Sequence, residues 1–358
     1  MLFDHFAARS LQLANRMVMA PMTRNRATPD HTPDALMAAY YGQRATAGLI
    51  ITEGTSPSPN GLGYPRIPGL YDQAQVEAWK ATTAAVHARG GTIFVQLMHC
   101  GRVAHVANLP VGAEVLGPGT TACPGEVYTD TLGMQPYSPP RAMTEADVAH
   151  GVTEYATAAM LALEAGFDGV ELHGANGYLI EQFLNPLVNQ RSDTYGGSID
   201  GRNRLAVEIA SATVAAIGRD RVGIRLSPYG VFNGTGAFAD VQAQYLALAG
   251  SLSALGLLYV HLVDHSAMGA PPVPADVKLA LREGFDGLFI LSGGFNHGSA
   301  EQALREKRAD LIAFGRPFLA NPDLVARMRA DAAMNAPDMA TFYVPGAKGY
   351  TDYPVLVG

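Results

Sequence analysis

The chain has 358 residues, 48% of them hydrophobic and 16% charged, with a formal net charge of -7, which describes a folded globular protein and excludes a disordered chain or a coiled coil. The acidic balance offers no basic face to nucleic acid or anionic lipid, and no stretch reaches the roughly 18 apolar residues of a membrane span. Two cysteines, Cys100 and Cys123, are too few for a zinc knuckle, an iron-sulfur site or a disulfide framework, so free thiols in a reducing cytoplasm are expected.

In chain order, eight short apolar runs recur: RMVMAPM from Arg16, LIITEGT from Leu49, TIFVQLMH from Thr92, GVELHGA from Gly169, VGIRLSP from Val222, LYVHLVD from Leu258, LFILSGG from Leu288 and LIAFGRP from Leu311. Their nearly continuous apolar character is that of parallel strands covered on both faces. Helical patterns stand between them. One runs from Asp72 to Gly91 and another from Thr144 to Gly166, each with a capping residue first and glycine last, and others begin near Ser198, Asp240, Pro274 and Gly298. The alternation predicts a (β/α)8 barrel in one domain spanning 1–358, with a doubly wound sheet in two lobes as the alternative. Residues 100–143 break the rhythm: they are rich in Pro and Gly, carry little helical pattern, and are expected to form a lid or subdomain after the third strand.

A barrel enzyme places its chemistry at the C-terminal ends of its strands. Those ends carry Thr23 and Arg24, Glu53 and Gly54, Gln96 and His99, then His173, Asn176 and Tyr178. Arg225, His261 with Asp264, Ser292-Gly293-Gly294 and Gly315-Arg316 complete the set. A Schiff-base lysine is excluded, because Lys80, Lys278, Lys307 and Lys348 fall on helices or in the tail. A metal site is left only the unusual set His99, His173 and His261. GTGAFA at 234–239 fits a dinucleotide fingerprint, but the strand before it ends too early for the first glycine to make the turn. The glycines after strands seven and eight stand where barrels bind phosphate, although tight turns alone would also account for them.

Several blocks then resemble one family, in its order and over nearly the whole chain: NRMVMAPMTRNRA, VQLMHCGR, AGFDGVELHGANGYLIEQFLNP, NQRSDTYGGSIDGRNRL, GIRLSP, AFGRPFLANPDL and GYTDYP. They are similar to the old yellow enzymes, FMN-dependent ene-reductases on a (β/α)8 barrel, and most of all to the bacterial N-ethylmaleimide and nitrate-ester reductase branch. The resemblance implies non-covalent FMN, NADPH or NADH as reductant, and small activated alkenes as substrates in a ping-pong cycle. Pro21, Met22, Thr23, Gly54, Gln96, His173, Arg225, Ser292, Gly293, Gly294, Gly315 and Arg316 would then hold the flavin. Thr23 would meet its C4 carbonyl, Gln96 the pyrimidine edge and Arg225 the N1 side. The residues alone leave blander readings open: Thr23 as a turn cap, Gln96 satisfying backbone, and Arg225 paired with Glu53.

His173 and Asn176 would bind the substrate oxygen, while Tyr178 gives a proton to the α-carbon from the face opposite the hydride. Tyr64, Met98 and Tyr350 would line the substrate pocket, with Phe232 and the segment near Thr129 as weaker candidates. Met98 stands where many relatives carry tryptophan, and Gly54, in place of a common alanine, is expected to open space beside the flavin. The resemblance leaves monomer and homodimer open. A flavin-binding or ligand-sensing barrel without turnover is the alternative function.

Overall fold

A computed structural model describes residues 1–356; the last two residues of the expected domain, 357 and 358, lie outside it. The chain opens with a hairpin of β1 (Phe6–Ala8) and β2 (Leu11–Leu13). Eight parallel strands then close a barrel: β3 (Met17–Met19), β4 (Leu49–Thr55), β5 (Ile93–Leu97), β10 (Gly169–Gly174), β11 (Val222–Leu226), β12 (Tyr259–Val263), β13 (Leu288–Ser292) and β14 (Leu311–Phe314). They fall within the eight apolar runs, and every residue of these strands is buried. Helices α1 (Ala35–Gln43), α2 (Gln73–His87), α3 (Glu145–Glu164), α4 (Leu179–Leu184), α5 (Ile199–Ile217), α6 (Val241–Ala254), α7 (Ala275–Glu283), α8 (His297–Arg305), α9 (Arg316–Ala320) and α10 (Leu324–Arg329) alternate with the strands. Among the described residues no helix is long and apolar enough to cross a membrane.

Side chains alternate across each strand. Val170 and Leu172 of β10 join the large core between strands and helices, so Glu171 and His173 turn into the barrel. The lower interior is apolar, with Val18, Ile51, Phe94, Tyr259, Ile290 and Leu311 packed together. Phe6, Leu11 and Leu13 of the hairpin plug that end. Above this layer the inward positions become polar: Gln96 is level with Glu171, and His173, Arg225 and His261 share one height. An apolar floor therefore fixes a barrel whose polar layer faces the strand ends.

Local signals explain most boundaries. Asp72, Thr144 and Ser198 cap α2, α3 and α5 through their side chains, and Thr144 forms a full capping box with Asp147. Two further helices begin beside the positions expected of them. The helix expected near Gly298 starts at His297, because Asn296 and Ser299 exchange capping hydrogen bonds. Asp240 precedes α6 but does not cap it, since its carboxylate accepts from Arg202 at 2.6 Å.

The segment after β5 contains a 3-10 turn at Val106–Asn108, the short pair β6 (Leu116–Gly117) with β9 (Arg141–Ala142), and an antiparallel ribbon of β7 (Glu126–Thr129) with β8 (Gly133–Pro136). Its lack of helical pattern thus has a structural counterpart in small pieces of sheet.

Candidate active site

One cavity of about 1000 Å³ lies over the strand ends. It brings together Pro21, Met22, Thr23, Tyr64, Gln96, Met98, His173, Asn176, Tyr178, Arg225, Ser292, Gly293, Gly294, Gly315 and Arg316. The turn after β10 explains how three polar residues crowd there. His173 is the last but one residue of the strand, Asn176 (φ 61) and Gly177 (φ 76) adopt left-handed backbone, and Tyr178 stands at the N-cap of α4. Asn-Gly is the pair that accepts this conformation most readily. The turn is tied down as well: the Asn176 N–H donates to Ser227 Oγ at 2.9 Å, and the Asn233 amide donates to the Asn176 carbonyl at 2.7 Å. Glu181, buried on α4, accepts from the Gly177 N–H at 2.6 Å, from Ser227 and from Tyr245. Burial raises its pKa to about 7.

The Tyr178 and Tyr64 hydroxyls lie 3.1 Å apart with their rings perpendicular. Burial holds the Tyr178 hydroxyl well above its ordinary pKa, so it remains a proton donor at physiological pH. The His173 ring centroid lies 5.2 Å from that of Tyr178. Burial first, then the neighbouring Arg225 charge, drives the His173 pKa well below its ordinary value. His173 is therefore a neutral hydrogen-bonding group.

Two residues that bond to members of the site escaped the sequence reading. Glu171 accepts from Gln96 Nε2 at 2.8 Å and hydrogen-bonds His261 Nδ1 at 2.9 Å. Because the amide N–H of Gln96 is engaged, its carbonyl remains available as an acceptor. The second is His265, just past β12, whose Nε2 lies 2.7 Å from Asn176 Oδ1. The alternation of β10 could have flagged Glu171; no short-range signal marks His265.

Two expected site residues lie elsewhere. Gly54 does not line the cavity: a Cβ there would overlap the Met98 side chain, so methionine already fills the space that glycine leaves. Tyr350 is fully buried against Tyr40, their centroids 4.0 Å apart, with the Arg24 and Arg26 guanidinium groups over its ring. The C-terminal segment instead contributes Phe342 and Tyr343 to the cavity wall. Phe232 packs edge-on against His265, and Thr129 is buried within its ribbon, while Val127, Tyr128, Met134 and Tyr137 line the cavity. A bulge in β4 between Ile51 and Gly54 brings the Glu53 carboxylate to the Arg24 N–H and the Tyr41 hydroxyl, so the alternative pairing with Arg225 does not form.

The residues fit FMN. Arg225 Nε and His173 Nδ1 are buried beside the cavity without partners among the described residues, and such polar groups are costly unless a ligand or water satisfies them. Gly293 (φ 138) and Gly294 (φ 69) border the part of the cavity that Arg316 also lines. A side chain at Gly293 would strike the Asp264 carbonyl, and one at Gly294 would lie 2.6 Å from Ala267 Cβ. Such a glycine loop beside an arginine suits a phosphate.

Residues 1–335 match the NADH:flavin oxidoreductase / NADH oxidase family. The chain is 42% identical over 350 residues to a probable flavin mononucleotide-dependent alkene reductase of Leishmania infantum, with 96% of this chain and 94% of that protein covered. It is similar to morphinone reductase solved in complex with tetrahydroNAD (TM-score 0.94, 42% identity, 99% of this chain and 98% of that one). It is also similar to an old yellow enzyme homologue from Zymomonas mobilis (TM-score 0.95, 39% identity, 99% of both chains).

Proposed function

The chain belongs to the NADH:flavin oxidoreductase / NADH oxidase family, and from that membership we infer how its cavity divides the labour of alkene reduction. It is an FMN-dependent oxidoreductase of the old yellow enzyme type, reducing the activated C=C bond of α,β-unsaturated carbonyls and related alkenes with NAD(P)H. FMN held in that cavity would supply the hydride-transfer chemistry that links nicotinamide to the alkene β-carbon. Thr23, Gln96 and Arg225 hold the isoalloxazine, and Ser292, Gly293, Gly294, Gly315 and Arg316 hold the phosphate. His173 and Asn176 donate hydrogen bonds to the substrate oxygen, stabilising the charge that develops there as the β-carbon is reduced. Tyr178 gives its hydroxyl proton to the α-carbon, so a C–H bond forms at each former alkene carbon. Tyr64, 3.1 Å away, is placed to return a proton to Tyr178. The ribbon of β7 and β8 covers the mouth as a lid. Two unpaired, buried thiols favour a reducing cytosol as its location.

The observation that carries this reading is the convergence of His173, Asn176 and Tyr178 on one cavity containing unpartnered buried donors. Anaerobic stopped-flow tests it. Reduced holoenzyme mixed with 2-cyclohexenone is expected to regain oxidised-flavin absorbance with saturable kinetics. Flavin that stays reduced until air is admitted would make the protein a binder without turnover, and protein that takes up no FMN would refute the reading at its base.

A further inference from the structure

Asparagine presents two different groups from one planar amide, an acceptor oxygen and a donor NH2, and a half-turn of the side chain exchanges them. The backbone of Asn176 is held on both sides by Ser227 and Asn233. Those contacts leave the amide orientation undecided. His265 supplies the missing constraint: its Nε2 lies 2.7 Å from Asn176 Oδ1, and both residues line the cavity. We propose that His265 is a positioning residue that engages the amide oxygen of Asn176 and so turns the NH2 group toward the substrate oxygen.

The inference rests on the reading of Asn176 as a donor. Its direction follows from proton counting. With a proton on Nε2, neutral histidine donates to Oδ1, and protonated histidine does the same. The reverse arrangement, with the NH2 donating to a bare Nε2, exists for only one neutral tautomer and would aim Oδ1 at an oxygen already carrying negative charge. An oxyanion in the cavity therefore selects the arrangement in which His265 donates.

His265 is itself held. Its carbonyl accepts from the Met268 N–H at 2.8 Å, and its ring packs edge-on against Phe232 at 4.6 Å. Since it lies beyond β12 and Asn176 beyond β10, the loop of one barrel strand sets the donor presented by the loop of another, across intervening β11.

FMN-loaded His265→Gln, His265→Phe and His265→Glu proteins, compared at pH 8, test the assignment. The readout is the dissociation constant of 4-chlorophenol from the oxidised enzyme, followed by its charge-transfer band, with FMN content as the control for folding. Glutamine retains an N–H donor and is expected to bind the phenol within about twofold of the parent, whereas phenylalanine loses about tenfold, the scale of one hydrogen bond coupled to a charged ligand. Ionised glutamate accepts only, reverses the amide and is expected to bind weakest. Glutamate and glutamine have nearly the same shape, so a purely structural role predicts equal binding by the two, and that result overturns the inference. If the glutamate protein fails to retain FMN, equal affinity in the glutamine and phenylalanine proteins overturns it instead.

Asn176→Ala separates this inference from the reading beneath it. Full phenol affinity in Asn176→Ala removes the donor role and the positioning role together. Weakened binding in Asn176→Ala with equal glutamine and glutamate affinities removes only the assignment to His265. Support requires the Gln, Phe, Glu order together with a silent His265→Phe change in the Asn176→Ala background, because the coupling then passes through the amide.

Discussion

At the scale of single residues, the tyrosine pair makes the sharpest demand. Burial keeps Tyr178 protonated, so it can serve as a general acid, a contribution of about 10² to 10⁴ in rate. Tyr178→Phe is expected to slow enone-dependent flavin reoxidation by about that factor while leaving reduction by NADPH near the parent rate, as two-phase stopped-flow would measure. Equal slowing of both phases would contradict the assignment. Glu181 gives a pH test. Its pKa is raised to about 7 by burial, so the folded protein holds a proton that the unfolded chain releases near its ordinary value of about 4.5. Its contribution to stability is therefore present at acid pH and lost as pH rises through about 7. Glu181→Gln should remove that loss, so its melting temperature relative to the parent rises from pH 4.5 to pH 8. A difference constant with pH would reject the assignment.

At the scale of elements, the strands and their ends were legible because strands covered on both faces must be apolar wherever they run, and their exits into the cavity must be polar. His173, Asn176 and Tyr178 stood out at one of those polar exits, but their separate roles came from the family resemblance, since a capped turn alone would account for the same letters. What escaped depends on which elements meet. Gly54 reads as free space until β4 is laid beside the exit of β5, where Met98 fills it. Gly54→Ala should push the flexible methionine aside, at a cost of about 1 kcal/mol, and weaken phenol binding as Met98 moves into the cavity. The combined Gly54→Ala, Met98→Ala protein should show less than the sum of the two single changes by thermal unfolding, since the overlapping groups are removed together. Additive effects would mean that the two side chains do not compete. His265 is silent in the sequence because its partner lies 89 residues away, and Glu181 because its hydroxyl partners lie 46 and 64 residues away.

At the scale of the whole molecule, Tyr350 was misread because nothing near it in sequence reveals the arginines of a loop more than 300 residues earlier. Arg24 donates to the Phe342 and Gly349 carbonyls, and Arg26 to those of Thr341, Phe342, Gly346 and Lys348. Tyr350 stacks within this clasp, and its buried hydroxyl has no partner among the described residues. Tyr350→Phe should therefore change stability by less than about 1 kcal/mol and leave the KM for cyclohexenone unaltered. Tyr350→Ala should cost about 3–5 kcal/mol, as removal of a packed aromatic ring does, in denaturant titrations. A higher KM in the phenylalanine protein would return the hydroxyl to the substrate pocket.

The same clasp orders events during synthesis. A chain leaving the ribosome can pair its eighth strand with its first once Phe314 is free, and that step completes the barrel. Phe342 and Tyr343, which wall the cavity, emerge nearly thirty residues later and lock only when the carbonyls out to Gly349 reach Arg24 and Arg26. A barrel that closes before those residues are made would therefore hold a chamber that still lacks a side.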